Sequence, residues 1–149
     1  MNFIKKHLKN ERGLTLIELL AVVVILGIIA AIAIPSIGGL INNSKKDAHI
    51  ANAQQMVSGA RTAVAGNDED IDLSSGTDSI TLEELQDKGY VEPITDPSTK
   101  EEYESGVVEI TKSATNGSLT FTVQLTGAAD YFETAKDPKE LKRSDVVLP

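Results

Sequence analysis

The chain has no cysteine and no tryptophan. It can therefore build no disulfide framework, no thiolate metal site and no cysteine nucleophile. Histidine is almost as scarce: His7 and His49 are the whole supply, too few for a histidine-rich metal centre. Aromatic residues make up 4% of 149, and 22 Asp plus Glu outweigh 14 Lys plus Arg, for a formal charge of −8. Such a chain is a poor general nucleic-acid binder, because phosphate attraction needs a positive field and base stacking needs rings. There is no phosphate loop, no Gly-x-Ser-x-Gly and no metal-ligand spacing. The residues point to no catalytic group and no cofactor. His49 falls on an expected helix without a neighbouring motif and reads as a surface residue. Glu83-Glu84 and Glu101-Glu102 read as solvated faces.

What the chain has is a concentrated apolar run. From Leu19 to Ile34, 16 residues pass without a charge or a hydrogen-bonding side chain, and eleven of them are Leu, Ile or Val. Those eleven favour membrane entry by about 3–7 kcal/mol. Extension to Leu14 or Ile41 brings the segment past the roughly 20 residues that a bilayer core requires. A helix apolar on every face is not expected in the core of so small a domain. Ahead of it, Lys5, Lys6, Lys9 and Arg12 stand against Glu11. Positive flanks stay in the cytoplasm, so the expected orientation is N-terminus inside, with residues beyond about 41 outside. A plain anchor and an ordinary signal peptide share this pattern, and Ala31-Ile32-Ala33 has the small-x-small form of a secretory cleavage site.

Glu18 separates these readings. A carboxylate at the mouth of a membrane segment is costly and suggests a paired, functional role, which neither a signal peptide nor a simple anchor needs. Around it the sequence runs Arg12-Gly13-Leu14-Thr15-Leu16-Ile17-Glu18, then directly into the apolar stretch and on to Pro35. This string resembles the type IV prepilin signature, shared by type IV pilins and the pseudopilins of secretion and DNA-uptake machines. The resemblance covers residues 1 to about 41, with Leu14 where the family usually has Phe.

The resemblance implies a leader over 1–13, a transmembrane and filament-core helix over 14–41, and a globular pilin domain over 42–149. A prepilin peptidase would cut between Gly13 and Leu14 and methylate the new amine of Leu14. Glu18 would meet the amine of a neighbouring subunit and set its register during assembly. Gly27 and Pro35 would mark where the helix unwinds in the filament. The implied partners are other copies of the chain in a helical homopolymer, the peptidase, the assembly platform, minor pilins and, before assembly, the membrane. The implied product is a structural subunit, not an enzyme, of an extracellular pilus for adhesion, twitching motility or DNA uptake. A pseudopilin of a competence or type II secretion system is the alternative within the family, and a membrane-anchored module that never polymerises is the alternative outside it.

The remainder predicts an α+β layout, a long N-terminal helix packed on a small antiparallel sheet. Ile50, Ala53, Val57, Ala60 and Val64 recur at steps of 3 and 4 and form one apolar stripe, ending at Gly66. Asn67 to Ser79 reads as a solvated acidic loop. Its run Asp68-Glu69-Asp70-Ile71-Asp72 invites a calcium reading, which fails because Leu73 stands where a glycine should turn and no Glu closes the loop. Thr81-Leu82-Glu83-Glu84 is a capping box, opening a short helix that stops at Gly89. Val108 and Ile110, then Leu119, Phe121, Val123 and Leu125, alternate as two strands, and Asn116-Gly117 signals the turn between them. Tyr131-Phe132 is expected to pack, Pro138 to Lys142 to form a helical turn and Ser144 to Leu148 an edge strand. Asn42-Asn43-Ser44 and Asn116-Gly117-Ser118 match the glycosylation pattern, which is short enough to occur by chance.

Overall fold

A computed structural model describes residues 15–132 and 136–149. The order is helix α1 (Leu16–Ala65), a 3₁₀ turn (Leu73–Ser75), strand β1 (Thr77–Thr81), helix α2 (Leu82–Asp87), strands β2 (Ser105–Lys112) and β3 (Leu119–Thr126), and a second 3₁₀ turn (Arg143–Asp145). This is an α+β, pilin-like architecture. The chain divides into two compact units between Ile41 and Asn42.

In the first unit α1 is apolar all round. The large apolar side chains from Leu16 to Ile41 stand 47–88% exposed. Pro35 lies inside the helix, which runs through it. Loss of its N–H leaves one carbonyl a turn earlier without its helical donor, a defect that membrane helices tolerate.

In the second unit α1 becomes one-sided. His49, Ala53, Met56, Gly59, Ala60 and Ala63 are buried, with Val57 beside them. The stripe is thus centred one position earlier than the sequence suggested, and Ile50 and Val64 are its half-buried margins. Small residues occupy its middle because the Tyr90–Val91 segment comes close. A Cβ on Gly59 would lie 2.3 Å from Val91 Cγ2.

The sheet has the order β1-β2-β3, antiparallel throughout. Its inner face supplies Ile80, Val108, Ile110, Phe121, Val123 and Leu125 to the core. Their period of two is what a half-buried sheet requires. The β2–β3 loop is longer than a two-residue turn. It spans Ser113–Ser118, with Gly117 at φ +69 and its N–H donating to Ser113 C=O at 2.9 Å. The capping box forms as expected: Thr81 Oγ1 accepts from Glu84 N–H at 3.2 Å, and Glu84 Oε2 accepts from Thr81 N–H at 2.8 Å.

Two expectations for this part of the chain are corrected. The segment read as an acidic loop runs into strand β1 at Thr77–Ser79, and the strand pairs Thr77–Thr81 with Val107–Thr111. Only Ile80 among its residues is buried, so no apolar alternation announced it. The expected edge strand over Ser144 to Leu148 is instead a 3₁₀ turn plus one bridge, Phe132 to Val146. Pro138 to Lys142 gives a single turn, closed by Glu140 N–H on Asp137 C=O. Tyr131 and Phe132 are fully buried, as expected. The C-terminal segment is tied to α1 by Arg143, whose Nε and Nη2 donate to the two oxygens of Asp47 at 2.6 Å each.

Candidate functional site

Glu18 lies in the first turn of α1. The Thr15 C=O accepts from Glu18 N–H at 2.8 Å and from Leu19 N–H at 3.1 Å, which opens the helix. The Glu18 carboxylate folds back over that turn. Its Oε2 accepts from Thr15 N–H at 2.8 Å and from Thr15 Oγ1 at 3.1 Å. A negative group here meets the positive end of the helix dipole and otherwise unpaired amides. The carboxylate therefore sits beside the residue that follows Leu14. Gly13 and Leu14 themselves lie outside the described residues, as does His7. Gly27 and Pro35 lie further along α1, separate from this turn, with open space where a Gly27 Cβ would stand.

A second polar group, missed by the sequence reading, is buried in the globular unit. His49 is fully buried, not a surface residue. Its Nδ1 bonds to Tyr103 OH at 2.9 Å and its Nε2 to Ser98 Oγ at 3.1 Å. Its ring stacks on Tyr131 with centroids 3.8 Å apart. Asp96, also fully buried, accepts from Tyr131 OH and from the backbone amides of Ser98 at 2.6 Å and Thr99 at 3.3 Å. Asn52 Nδ2 donates to Tyr103 OH at 2.9 Å and to Thr95 C=O at 3.1 Å. The surrounding polar atoms satisfy the group that a helix stripe would otherwise reject.

Burial pushes His49 down to about 4, against the attraction of Asp96 and with help from Lys45. Burial alone would raise Asp96, but the Tyr131 hydroxyl, the Ser98 and Thr99 amides and His49 together hold it below the ordinary carboxylate value. Ser98, His49 and Asp96 do not make a hydrolytic triad. In that arrangement the acid and the nucleophile occupy opposite ring nitrogens. Here Asp96 Oδ1, at 3.8 Å, faces the same Nε2 as Ser98, while Nδ1 belongs to Tyr103. The cluster locks the 96–101 loop onto α1.

The acidic loop is cross-tied as well as solvated. Lys88 Nζ donates to both Asp68 and Asp70, and Tyr90 OH donates to Asp68 at 2.9 Å. These contacts lower Asp68, led by the Lys88 bond, and raise Lys88 and Tyr90. An ammonium stands where the calcium reading would place a metal ion.

Residues 8–34 match the family model for the prokaryotic N-terminal methylation motif. No curated protein and no solved structure matches the chain. That match covers Lys9, Arg12, Gly13, Glu18 and the helix as far as Ile34, so the chain carries the N-terminal signature of type IV prepilins and pseudopilins, a structural family.

Proposed function

We propose that the chain is the major subunit of a type IV pilus, a surface filament for adhesion, twitching motility or DNA uptake. The observation that carries this reading is the first unit: an apolar helix exposed on every face, opened by a carboxylate turned back onto Thr15, the residue after Leu14 in the sequence. Such a helix needs a dry environment on all sides, and lipid and a bundle of identical helices both provide one. Cleavage between Gly13 and Leu14 removes the leader, 1–13, with its four cations, and creates an amine at the end of the core helix, 14–41. The globular domain, 42–149, remains outside. In the bilayer the helix anchors the subunit with its N-terminus in the cytoplasm; after assembly it lies in the filament core.

A desolvated charge is expensive alone and tolerable when matched. The methylated amine of Leu14 on one subunit and Glu18 on its neighbour form such a match only in correct register. Gly27 and Pro35 are the weak points at which the helix gives up hydrogen bonds on assembly. Prepilin peptidase, the assembly platform and minor pilins are the partners this sequence of events requires.

The test is mass spectrometry of the N-terminus in sheared surface material. A methylated Leu14 is the expected result. A start at Ile34 identifies a secreted product, and a start at Met1 a plain anchor; either overturns the proposal. Glu18→Ala, expressed beside the wild type, is expected to be processed and yet absent from filaments. Imaging then separates long surface pili from the short, hidden filament of a pseudopilin.

A further inference from the structure

Helix α1 does not stop where its apolar run stops. It continues through Ile41 and reaches Lys45 and Lys46 about a turn later. Cations gather at that turn from three parts of the chain. The C-terminal segment brings Lys142 and Arg143: Lys46 Nζ donates to Arg143 C=O at 3.1 Å, and the Arg143 guanidinium holds Asp47. The 96–101 loop brings Lys100 and is fastened at His49, a turn beyond Lys45, where His49 Nε2 bonds to Ser98 Oγ. Two anions in this region are already taken, Asp47 by Arg143 and Asp145 by Lys136, and Glu101 is the exposed acid beside Lys100. Lys45, Lys46, Lys100 and Lys142 make no ion pair among the described residues. The rest of the chain has the opposite balance. Residues 67–111 hold 14 acidic side chains and two basic ones, whereas residues 42–66 and 136–149 together hold seven basic and four acidic. The acids of α2 are also distant. The Tyr90–Val91 segment after α2 meets α1 at Gly59. That is about 21 Å along the helix from Lys45, roughly two and a half Debye lengths at physiological salt. Cations flanking a span belong inside by the flank rule, so the expected topology gives no reason for Lys45 and Lys46 on the outer side.

We propose that this basic turn is a docking surface for anionic phospholipid headgroups on the outer face of the membrane. The inference rests on the proposed reading of residues 14–41 as the membrane-spanning segment. Four residues of helix past Ile41 rise about 6 Å, close to the depth of the headgroup layer on one side of a bilayer. Lys45 and Lys46 therefore stand at the level of the lipid phosphates when the apolar run fills the hydrocarbon core, and Lys142, Arg143 and Lys100 extend the same positive surface. A cluster of cations beside a span is drawn to an anionic leaflet, and the attraction fades within a Debye length. The acids of α2 lie beyond that reach. The contact holds a domain of net negative charge at a surface that would otherwise repel it, and it is given up when the subunit leaves the bilayer.

The chain has no cysteine of its own, so a single Cys carries a polarity-sensitive dye to one place. Ser144→Cys puts it at an exposed site beside Arg143, and Thr115→Cys puts it in the exposed β2–β3 loop. That loop leads into Leu119, which lies beside Val64 and Ala65 at the other end of α1. The full chain is reconstituted in vesicles of phosphatidylcholine alone or mixed with phosphatidylglycerol. The expected result is a blue shift of the Ser144→Cys dye with phosphatidylglycerol and none at Thr115→Cys. Lys45→Gln with Lys46→Gln should remove most of the shift, as should about 0.5 M salt. Lys112→Gln, which removes an exposed cation at the end of β2, should leave it unchanged. Equal emission in the two lipids, or equal shifts at the two sites, overturns the proposal. So does a shift that inorganic phosphate reproduces in phosphatidylcholine, which identifies a free-anion site. A shift that follows the protein-to-lipid ratio instead of phosphatidylglycerol identifies a second copy as the occupant and overturns it as well. Should the Lys45→Gln/Lys46→Gln form fail to fold, the salt series on Ser144→Cys decides. The vesicles hold the full chain whether or not it is cleaved or polymerises. Failure here therefore leaves the pilus reading standing, and a start at Met1 overturns that reading without touching this one.

Discussion

The two halves of helix α1 meet different surroundings. Between Leu16 and Ile41 it presents apolar side chains in every direction, and its own chain buries none of the large ones. Between Asn42 and Ala65 it presents one stripe of mainly small residues and covers that stripe with a sheet and a buried polar cluster. Content and period thus carry separate information. The amount of apolar surface says how dry the surroundings must be. The period says how much of that dryness the chain supplies for itself.

The comparison breaks or holds on matched truncations. Met56→Ala removes a fully buried side chain whose Cε packs close under Gly106, and should cost the globular domain about 2–5 kcal/mol. Ile25→Ala removes a similar apolar group that is 56% exposed. It should change domain stability by less than about 0.5 kcal/mol. Thermal melting of the full chain in detergent, followed by a domain signal, checks both. Equal effects would show that the two halves are not energetically separate.

Acid sharpens the comparison because His49 lies on the covered half and Asp96 in its cover. His49 falls from 6.5 to about 4 on folding, so the folded state resists its protonation. That stability is complete above pH 6.5, where both states are neutral, and is lost as the pH falls from 6.5 toward 4. The loss should reach about 2–3 kcal/mol. Asp96 is lowered from 3.8, so its contribution disappears only below that value. Denaturant midpoints across pH 7 to 4 should fall for the wild type and stay nearly flat over that window for His49→Gln.

The sequence made the long helix, the capping box and the β2–β3 hairpin legible, because each rests on a local rule of spacing. It hid β1, whose Thr77, Asp78 and Ser79 look like loop residues and earn their place by pairing with β2. It also misplaced His49. The steps from His49 to Ala53, Met56, Ala60 and Ala63 are 4, 3, 4 and 3, the phase of the buried stripe. A histidine in that phase was the available signal. Its partners Ser98, Tyr103 and Tyr131 lie about 50 to 80 residues away, beyond the reach of any local rule. At the other end, Glu18 stood out as a carboxylate at the mouth of an apolar run. Its fold-back onto Thr15 was not, since that depends on where the helix begins.

Tyr131→Phe tests what fastens the cover at its first fully buried point. The substitution keeps the ring stacked on His49 and removes the hydroxyl that donates to Asp96. Asp96 remains buried with the two loop amides as donors. A buried acceptor deprived of one partner should cost about 1–3 kcal/mol. Relief of Asp96 from that bond should also raise its titration, so the acid loss in this variant should begin at a higher pH.

The smallest effect has the opposite sign. Lys100 closes the 96–101 loop with φ +68, a left-handed conformation that side chains with a Cβ resist. The loop needs it there: Lys100 N–H donates to Asp96 C=O, and Glu101 C=O accepts from Asp96 N–H, both at 2.8 Å. Glycine at this position avoids a cost of about 1–2 kcal/mol in the folded state. It also frees the unfolded chain by about 0.5–1 kcal/mol, so the net gain should be only about 0.5 kcal/mol. Lys100→Val tests the same cause from the other side. A β-branched side chain resists this conformation more than lysine does and adds no freedom to the unfolded chain, so its whole effect falls on the folded loop. A gain with glycine together with a loss with valine, in melting of the same detergent-solubilised chain, assigns the effect to backbone strain at Lys100. Movement of both variants in one direction would assign it to the missing ammonium.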